Sequence, residues 1–351
     1  VTLTLDKTND VEFIKWTGDV PEADIATTPL ALTMNRSRKV SLVLKAPYFV
    51  VDGSYITDGR QKYSMTLSGS EISVTGCSSL GSNSVMDASL PVKGGYSIVS
   101  IGGFLSSGVK KLILPETIKR LGINAFAACS LLTSVSPMFP DSLTTFGGGC
   151  FANAGGFTGN VRIGFGTDSG GNPLPVTFLI HDTTAGVQRG LQFQSQALGP
   201  DILLGPGVMS IPAYTFRNCS IVTNLVLGAN MATIAASAFE NFGQKAASVV
   251  FEGAMPAMAN MAFTIASNGQ ASRVRFCIQH SLAWQSFLSD ASKVTPWDSL
   301  TLEQRASYLE NFPKRNDTFI PYGIMADDSD GLPAGSWICV RKPSGLLIFV
   351  R

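Results

Sequence analysis

The chain has 351 residues, of which only 15% are charged, and its formal net charge is +1. A nearly neutral chain offers no electrostatic basis for binding nucleic acid or an anionic membrane surface. The mean hydropathy of +0.22 is high, yet no apolar run approaches the roughly 18 residues of a membrane-spanning helix. The length exceeds one ordinary domain, so we expect two or three units.

Residues 1–46 alternate apolar and polar side chains, and this period of two predicts short β-strands. The alternating runs cover residues 1–5, 11–14, 30–34 and 40–44. The stretches 16–21 and 29–34, together with Val40, resemble the divergent internalin-type B-repeat of bacterial surface proteins. The resemblance covers about 45 residues and implies a compact β-grasp-like spacer module over residues 1–46.

Residues 47–98 continue the strand pattern and are rich in turns. Apolar runs lie at 48–51, 63–67 and 72–74, and Asp52-Gly53 marks a turn after the first of them. The repeats that follow would expose their core at an unshielded end, so an array needs a first unit with one polar face. We predict that residues 47–98 form this N-terminal cap.

Phenylalanine recurs at a nearly constant spacing of 22–25 residues in two groups. The first group is Phe104, Phe126 and Phe151, and the second is Phe193, Phe216, Phe239 and Phe263. An apolar residue precedes most of them by five positions, and an apolar-x-apolar triplet follows about nine positions later. A period in the low twenties is typical of a stacked solenoid, in which each unit buries its apolar side only against its neighbours.

Residues 112–132, and the corresponding stretches 211–225 and 234–239, resemble the BspA-type leucine-rich repeat. Several positions recur together in several units, so the resemblance rests on a pattern and not on one residue. It spans about half of the chain and implies leucine-rich repeats over residues 99–278. The predicted fold class is therefore a β-rich leucine-rich-repeat solenoid with a small N-terminal β-grasp-like domain and an α+β C-terminal cap.

The interval between Phe151 and Phe193 departs from this pattern. It is 42 residues long, where two periods would require about 46, and it contains a glycine-rich loop at 164–175. It also contains an additional triplet at 178–180, which keeps register with the triplet at 202–204. Two interpretations of 164–190 are open: a shortened unit that lacks its phenylalanine, which we favour, and a hairpin that protrudes from the array.

Residues 279–351 lose the repeat. Near the start of this region, the residues that share a helical face are Trp284, Phe287, Leu288 and Ala291. Thr301 and Gln304 have the spacing of a capping box, which predicts the start of a second helix. The apolar residues predicted to line that helix are Leu302, Leu309 and Phe312, with Pro313 ending it. Strands are expected at 318–325, 337–341 and 346–350, so we predict an α+β cap or small domain.

Motifs for catalysis or metal binding are nearly absent from the sequence. It contains no C-x-x-C, H-E-x-x-H, P-loop, dinucleotide fingerprint or G-x-S-x-G. His181 precedes Asp182 but lacks a serine elbow, so we interpret it as a strand-end residue. The acidic run at 327–331 does not match the ligand positions of an EF-hand and is interpreted as a turn. We predict no catalytic residue, no metal and no cofactor.

Two of the six cysteines occupy equivalent positions in the repeat. Cys129 and Cys219 each lie three residues after a phenylalanine. A free cysteine behaves as a small buried hydrophobe, so we interpret these residues as core thiols. A disulfide framework remains the alternative.

The middle residue of each triplet is predicted to point away from the core, because side chains alternate across a strand. This outward column is Ile113, Ser136, Arg162, Leu203, Val226, Val250 and Arg275, and the column one residue before each triplet is Lys111, Ser134, Asn160, Asp201, Asn224, Ser248 and Arg273. An exposed aliphatic strip beside polar residues is typical of a partner-binding surface. The alternatives are that the C-terminal region or a second copy covers the strip, or that β-propensity alone selects valine. The predicted binding residues are Ile113, Arg162, Leu203, Val226, Val250, Arg273 and Arg275.

The resemblance implies a non-enzymatic bacterial surface or secreted protein, whose repeats act as an adhesion scaffold for a host, matrix or bacterial protein or glycoprotein. The main alternative is a structural spacer within a longer surface protein, and a minor one is a hydrolase with a site in the C-terminal tail. Since the chain begins without Met inside a strand pattern, we interpret it as a fragment or processed form. The expected location is extracellular or at the cell surface, with signal and anchor lying outside this sequence.

Overall fold

The computed structural model describes residues 2–3, 12–26, 28–33, 37–45, 48–59, 61–77, 84–156, 159–184, 186–196, 198–242, 246–265, 273–279, 282–312, 318–328 and 330–341. The strand predicted at 346–350 and the helix-ending Pro313 lie outside these ranges, as does most of the run predicted at 1–5.

Short antiparallel strands form the N-terminal region. They are β1 (Thr2–Leu3), β2 (Glu12–Gly18), β3 (Leu30–Ala31) and β4 (Val40–Lys45), with a 3-10 turn at Glu22–Asp24. β1 pairs with β3 and β2 with β4. Trp16, Leu30 and Leu32 are buried in a small core of their own, which agrees with the alternation in the sequence. The B-repeat assignment of this region remains a prediction.

An antiparallel meander leads into the solenoid. Its strands are β5 (Val50–Asp52), β6 (Tyr55–Thr57), β7 (Lys62–Ser68) and β8 (Glu71–Cys77). β8 then pairs in parallel with β10 (Ser97–Ile101), whose sheet continues through the repeats. Phe49, Ile56 and Tyr63 are buried in the same core as the repeats. The meander therefore packs on the repeats, while its boundaries at 47 and 98 remain predictions.

The apolar triplets form the strands of two parallel sheets. The first sheet contains β9 (Ser84–Asp87), β11 (Val109–Ile113) and β13 (Ser134–Ser136). The second, called the triplet sheet below, begins with β15 (Val161–Ile163), β19 (Asp201–Leu204), β21 (Asn224–Leu227), β24 (Ala247–Phe251) and β27 (Val274–Ile278). The outer residues of these triplets are buried, so the predicted alternation holds.

A second set of short strands, called the side strands below, contains the apolar residue that precedes each phenylalanine. They are β10 (Ser97–Ile101), β12 (Arg120–Leu121), β14 (Thr145–Phe146), β16 (Thr177–Phe178), β20 (Ser210–Ile211), β22 (Thr233–Ile234) and β25 (Ala257–Met258). β10 to β16 pair in parallel as one group and β20 to β25 as another. Each repeat therefore contributes one triplet strand and one side strand, which makes the array a β-rich leucine-rich-repeat solenoid.

The seven repeated phenylalanines form one continuous ladder of buried rings. Neighbouring ring centroids are 4.7–6.0 Å apart and their planes differ by at most 14°. Such contacts contribute about 0.5–1.5 kcal/mol each beyond the burial of apolar area. At the end of the ladder the rings lie in strands β23 (Phe239–Phe242) and β26 (Phe263–Ile265), which also pair in parallel.

Left-handed turns flank the rings and keep each unit compact. Tyr214 and Asn218, two residues on either side of Phe216, both have φ of 60°. The same pair of positive φ values recurs around Phe126 and Phe239. A further constraint follows the triplets, where a Cβ on Gly228 would lie 2.6 Å from the carbonyl carbon of Gly205. Glycine recurs there because the backbones of successive units are in contact.

The interval between Phe151 and Phe193 is a single lengthened repeat, so the shortened unit favoured from the sequence is wrong. The two rings stack directly on each other. Phe178 pairs with Phe146 in the side strands, and 178–180 is therefore not a triplet strand. The extra length forms a glycine-rich loop and an antiparallel hairpin, β17 (Asp182–Thr184) and β18 (Val187–Arg189). The hairpin interpretation is the one that the structure supports.

The C-terminal region extends the triplet sheet and adds two helices. Its elements are α1 (Leu282–Ser289), β28 (Val294–Pro296), a 3-10 turn at Trp297–Ser299, α2 (Leu302–Asn311), β29 (Phe319–Met325) and β30 (Trp337–Arg341). β30 pairs in parallel with β27, and β29 and β28 follow in antiparallel order. The predicted capping box of Thr301 and Gln304 is present.

The buried face of α2 agrees with the predicted one only at Phe312, which is buried. Leu302 is 85% exposed and Leu309 48% exposed, and Tyr308 is buried in their place. Tyr308 and Phe312 pack with Cys277, Trp337 and Cys339 in a second core on the outer side of the triplet sheet. The sheet surface on which α2 packs therefore determines that Tyr308 is buried, which the spacing of the aliphatic residues did not indicate.

All six cysteines are free thiols, and five of them are buried. Cys129 and Cys219 each donate from Sγ to the carbonyl oxygen of the phenylalanine in the preceding unit, Phe104 and Phe193, at 2.9 and 3.2 Å. Burial raises the pKa of Cys219 to about 12. The interpretation of these residues as core thiols is confirmed.

Candidate interaction surface

The outward column of the triplet sheet is continuous over four strands. Arg162, Leu203, Val226 and Val250 are register partners on β15, β19, β21 and β24. Arg162 is exposed, and the three aliphatic residues are half-buried between fully buried neighbours. The structure thus places Leu203, Val226 and Val250 side by side on the outer face, in the predicted order.

The predicted column is wrong at its last position. Val250 pairs with Cys277, and Arg275 pairs with Ser248. The triplet that continues the column is therefore Phe276-Cys277-Ile278, two residues later than assumed. Arg275 consequently belongs to the neighbouring polar column, where Arg273 had been placed, and Arg273 directly precedes β27 and is half-buried.

Ile113 is not adjacent to the aliphatic strip. It lies on β11, in the three-stranded sheet formed with β9 and β13, and it is half-buried. In the described chain the hydrogen-bonded order of that sheet ends at β13, and a new order begins at β15. Ile113 and Leu203 therefore belong to two separate parts of the outer face.

The C-terminal end of the strip is covered by the chain itself. Cys277 and Cys339, which continue the outward column, lie beneath α2 in the second core. Val250 packs against the edge of that core. Arg275 donates from Nε to Ser248 Oγ at 2.7 Å, and its guanidinium lies 5.1 Å from the ring centroid of Phe312. The covering by the C-terminal region that we considered applies to this end.

Leu203 and Val226 lie beyond this cover. Neither belongs to the second core or packs against it. On the far side of Leu203, Arg162 forms an ion pair with Asp141 at 2.6 Å and its guanidinium lies 3.9 Å from the ring centroid of Phe165. The remaining surface is therefore a short aliphatic strip that lies between Arg162, whose guanidinium is fixed by these contacts, and the second core beneath α2.

A groove of about 520 Å³ lies between the outer face of the triplet sheet and the end of α2. We call it the α2 groove. It is lined by Asp201, Thr223, Asn224, Ala246, Ser248, Val250, Arg275, Cys277, Asn311, Phe312, Thr318 and Phe319. Asp201, Asn224, Ser248, Val250 and Arg275 belong to the predicted columns. Cys277, Asn311 and Phe319 were not predicted, because only the tertiary fold brings the C-terminal region to this face.

The hairpin of the lengthened repeat has a polar base. Asp182 accepts hydrogen bonds from Arg189 at 2.6 and 2.7 Å and contacts His181 Nδ1 at 2.8 Å. Arg189, and secondly His181, hold the pKa of the Asp182 carboxyl well below its usual range. This arrangement orients the hairpin, whose far side overhangs a groove of about 810 Å³ above the side strands.

Carboxylates of the acidic turn near residue 328 are paired with groups of the same chain. Asp328 Oδ1 accepts from the backbone N–H of Ala334 at 2.6 Å, and Asp330 forms an ion pair with Lys293 at 2.7 Å. Among the residues with described positions, no three His, Cys, Asp or Glu side chains cluster as metal ligands would. None of the described helices is long and apolar enough to cross a membrane.

The family model of the BspA type leucine rich repeat region matches residues 95–163 and 193–277, in six copies. The two matched stretches flank the inserted hairpin. These two stretches match the BspA-type leucine-rich repeat. The match bears out the resemblance inferred from the phenylalanine period. Leucine-rich-repeat families are generally non-enzymatic scaffolds that bind proteins.

Solved structures of other leucine-rich-repeat proteins are similar at low identity. A T. pallidum leucine rich repeat protein, TpLRR, is 17% identical, over 57% of this chain and 88% of that one, with a TM-score of 0.35. A leucine rich cell surface protein of Faecalibacterium prausnitzii is 14% identical, over 66% and 55%, with a TM-score of 0.39. The pneumococcal vaccine antigen PcpA is 12% identical, over 70% and 96%, with a TM-score of 0.23. No curated protein matches the chain.

Proposed function

We propose that this chain is a non-enzymatic adhesion scaffold, located outside the cell or at the bacterial surface, that binds a protein or glycoprotein with the outer face of its triplet sheet. The observation that carries the proposal is the aliphatic pair Leu203 and Val226, aligned on adjacent strands and flanked by polar residues. Apolar strips with polar rims are typical of partner sites. Extended repeat surfaces also favour macromolecular partners over small molecules.

The family supports this proposal at a coarser level. BspA-type repeats form surface scaffolds, and the conclusion that this chain adheres to a host, matrix or bacterial ligand is a transfer from the family. The array supports it physically, because a continuous hydrogen-bonded sheet holds the backbone of the binding face in place and so lowers the conformational cost of binding.

A structural spacer is the second candidate function. The observation in its favour is the coverage of Cys277, Cys339 and part of Val250 by the chain's own α2. One end of the outer face is therefore buried within the chain and is not available to a ligand, as we would expect of a face that has only a structural role. The two functions differ in whether the strip at Leu203 and Val226 is covered by a ligand.

The test is binding of the chain to arrays of extracellular matrix proteins, mucins and bacterial surface proteins. The variant Leu203→Asp/Val226→Asp places two charges on the strip without entering the α2 core. The matched control, Ser210→Asp/Thr233→Asp, changes two exposed residues of the side strands. We expect a ligand that binds the wild type and the control but not the strip variant. Failure of all three folded proteins to bind would favour the spacer.

A further inference from the structure

The polar column beside the aliphatic strip lies on four adjacent parallel strands. Asp201, Asn224, Ser248 and Arg275 are register partners on β19, β21, β24 and β27. Strands in a sheet are about 4.8 Å apart, so these side chains form a row with a step of that length. The row is the floor of the α2 groove.

Two of the four side chains in this row make no hydrogen bond within the described part of the chain. The Arg275 guanidinium and Ser248 hydroxyl bond each other, whereas the Asp201 carboxylate and Asn224 carboxamide make no hydrogen bond to any described residue. Both are half-buried. They are the part of the row that a ligand can bind.

The walls of the groove add an apolar contact to these polar groups. Phe319 is half-buried, packs against the second core and lines the groove together with Phe312 and Val250. The groove therefore combines an aromatic wall with a carboxylate that accepts hydrogen bonds and a carboxamide that both donates and accepts. A ligand that fits must offer adjacent groups of both kinds and an apolar face.

We propose that the α2 groove binds a saccharide, as the glycan part of the macromolecular ligand, with Asp201 and Asn224 contacting its hydroxyl groups and Phe319 packing on its C–H face. The inference rests on the proposed function and names the class of ligand. Sugar hydroxyls both donate and accept hydrogen bonds, so two vicinal hydroxyls match the Asp201 carboxylate and the Asn224 carboxamide on neighbouring strands. The row runs along the solenoid, so a chain of sugar rings can contact successive rungs.

An extended peptide fits the floor less well than a saccharide. Recognition of a peptide by strand addition requires a free sheet edge with unpaired backbone groups. The floor belongs to β19, β21, β24 and β27, each of which pairs with a strand on both sides. Only side chains are therefore available for recognition, and the short polar ones in this row suit hydroxyl groups.

The experiment measures binding of the chain to a printed array of mucin-type and bacterial cell-surface glycans, followed by titration of the glycan that binds. The variants are Asp201→Ala and Asn224→Ala, and the matched control is Thr233→Ala, an exposed polar residue on a side strand. Removal of one hydrogen-bonding partner is expected to weaken glycan binding about tenfold, while the control binds as the wild type does.

Two outcomes would overturn the inference and are distinguishable from failure of the proposed function. If a glycoprotein ligand binds equally well after enzymatic removal of its glycans, and no printed glycan binds, the scaffold function stands and the saccharide site is wrong. If glycans bind but the Asp201 and Asn224 variants bind equally tightly, the site lies elsewhere. If no macromolecule binds, both the saccharide site and the adhesion function are wrong.

Discussion

Phe151 stacks on Phe193 at a centroid distance of 6.0 Å with planes 12° apart, although 42 residues separate them in the sequence. The contact has the geometry of neighbouring units with ordinary spacing, such as Phe126 on Phe151. The ladder therefore continues through the lengthened repeat, and the additional residues form the loop and hairpin outside it. An insertion is accommodated because each unit packs only on its neighbours.

The centre of the ladder is predicted to be essential for stability. Phe216 is fully buried and stacks on both sides, at 5.2 and 5.3 Å. We expect Phe216→Ala to lower the free energy of unfolding by about 3–5 kcal/mol, measured as a shift of the urea midpoint. Leu302→Ala, at a residue 85% exposed, is the control and should cost about 0.5 kcal/mol or less. Equal midpoints for the two variants would contradict the ladder.

Gln196 occupies the position that Cys129 and Cys219 hold in other units. Its Nε2 donates to the carbonyl oxygens of Phe151 at 2.7 Å and Ala154 at 3.2 Å. Gln196→Leu is expected to remove the donor to the Ala154 carbonyl, while the Phe151 carbonyl keeps the backbone N–H of Ala154, and to cost about 1–3 kcal/mol in chemical denaturation. The exposed Gln188→Leu in the hairpin is the comparison. A fully stable Gln196→Leu protein would show that this position needs volume and not a donor.

The Asp182 carboxyl is predicted to titrate below its usual range because of Arg189 and secondly His181. A lowered pKa in the folded state means that the ionised carboxylate stabilises the fold at neutral pH, and that this stabilisation is lost as the pH falls below the ordinary carboxyl range. In a carboxyl NMR titration, Arg189→Gln should raise the pKa of Asp182, whereas Lys293→Gln should not change it. An unchanged value in Arg189→Gln would refute the assigned cause.

The Cys219 thiol is predicted to be inert in the native protein, since burial raises its pKa to about 12. Alkylation followed by mass spectrometry should label Cys219 only after unfolding in urea, with the half-buried Cys77 labelled earlier. The unfolded thiol ionises at a lower pH than the folded one, so the free energy of unfolding should fall as the pH rises above the ordinary thiol pKa. Rapid labelling of native Cys219 would contradict its burial.

The sequence predicted the solenoid, the buried phenylalanines and the outward aliphatic residues because all of them follow from one repeated pattern. It could not fix the register of the last repeat strand. Val274-Arg275-Phe276 and Phe276-Cys277-Ile278 both fit an apolar-x-apolar triplet, and a slip of two residues keeps every side chain on the same face. Only pairing with the neighbouring strand distinguishes them.

Two further errors have the same origin in tertiary packing. Phe178-Leu179-Ile180 has the composition of a triplet, but its place is decided by the pairing of Phe178 with Phe146 in the side strands. The buried face of α2 is decided by the contact between Tyr308 and Trp337. Trp337 lies on β30, and the periodicity of the helix sequence contains no information about that strand. Local pattern identifies an element here, and packing decides its partners.

The most direct test of the proposed function is a titration of the identified macromolecular ligand against three folded proteins. These are the wild type, Leu203→Asp/Val226→Asp and Ser210→Asp/Thr233→Asp, with circular dichroism and urea midpoints confirming that each retains the solenoid. The account predicts that binding is lost in the strip variant and unchanged in the side-strand variant. Unchanged binding in the strip variant, or loss only in the side-strand variant, would contradict it and place the ligand beneath the hairpin or elsewhere.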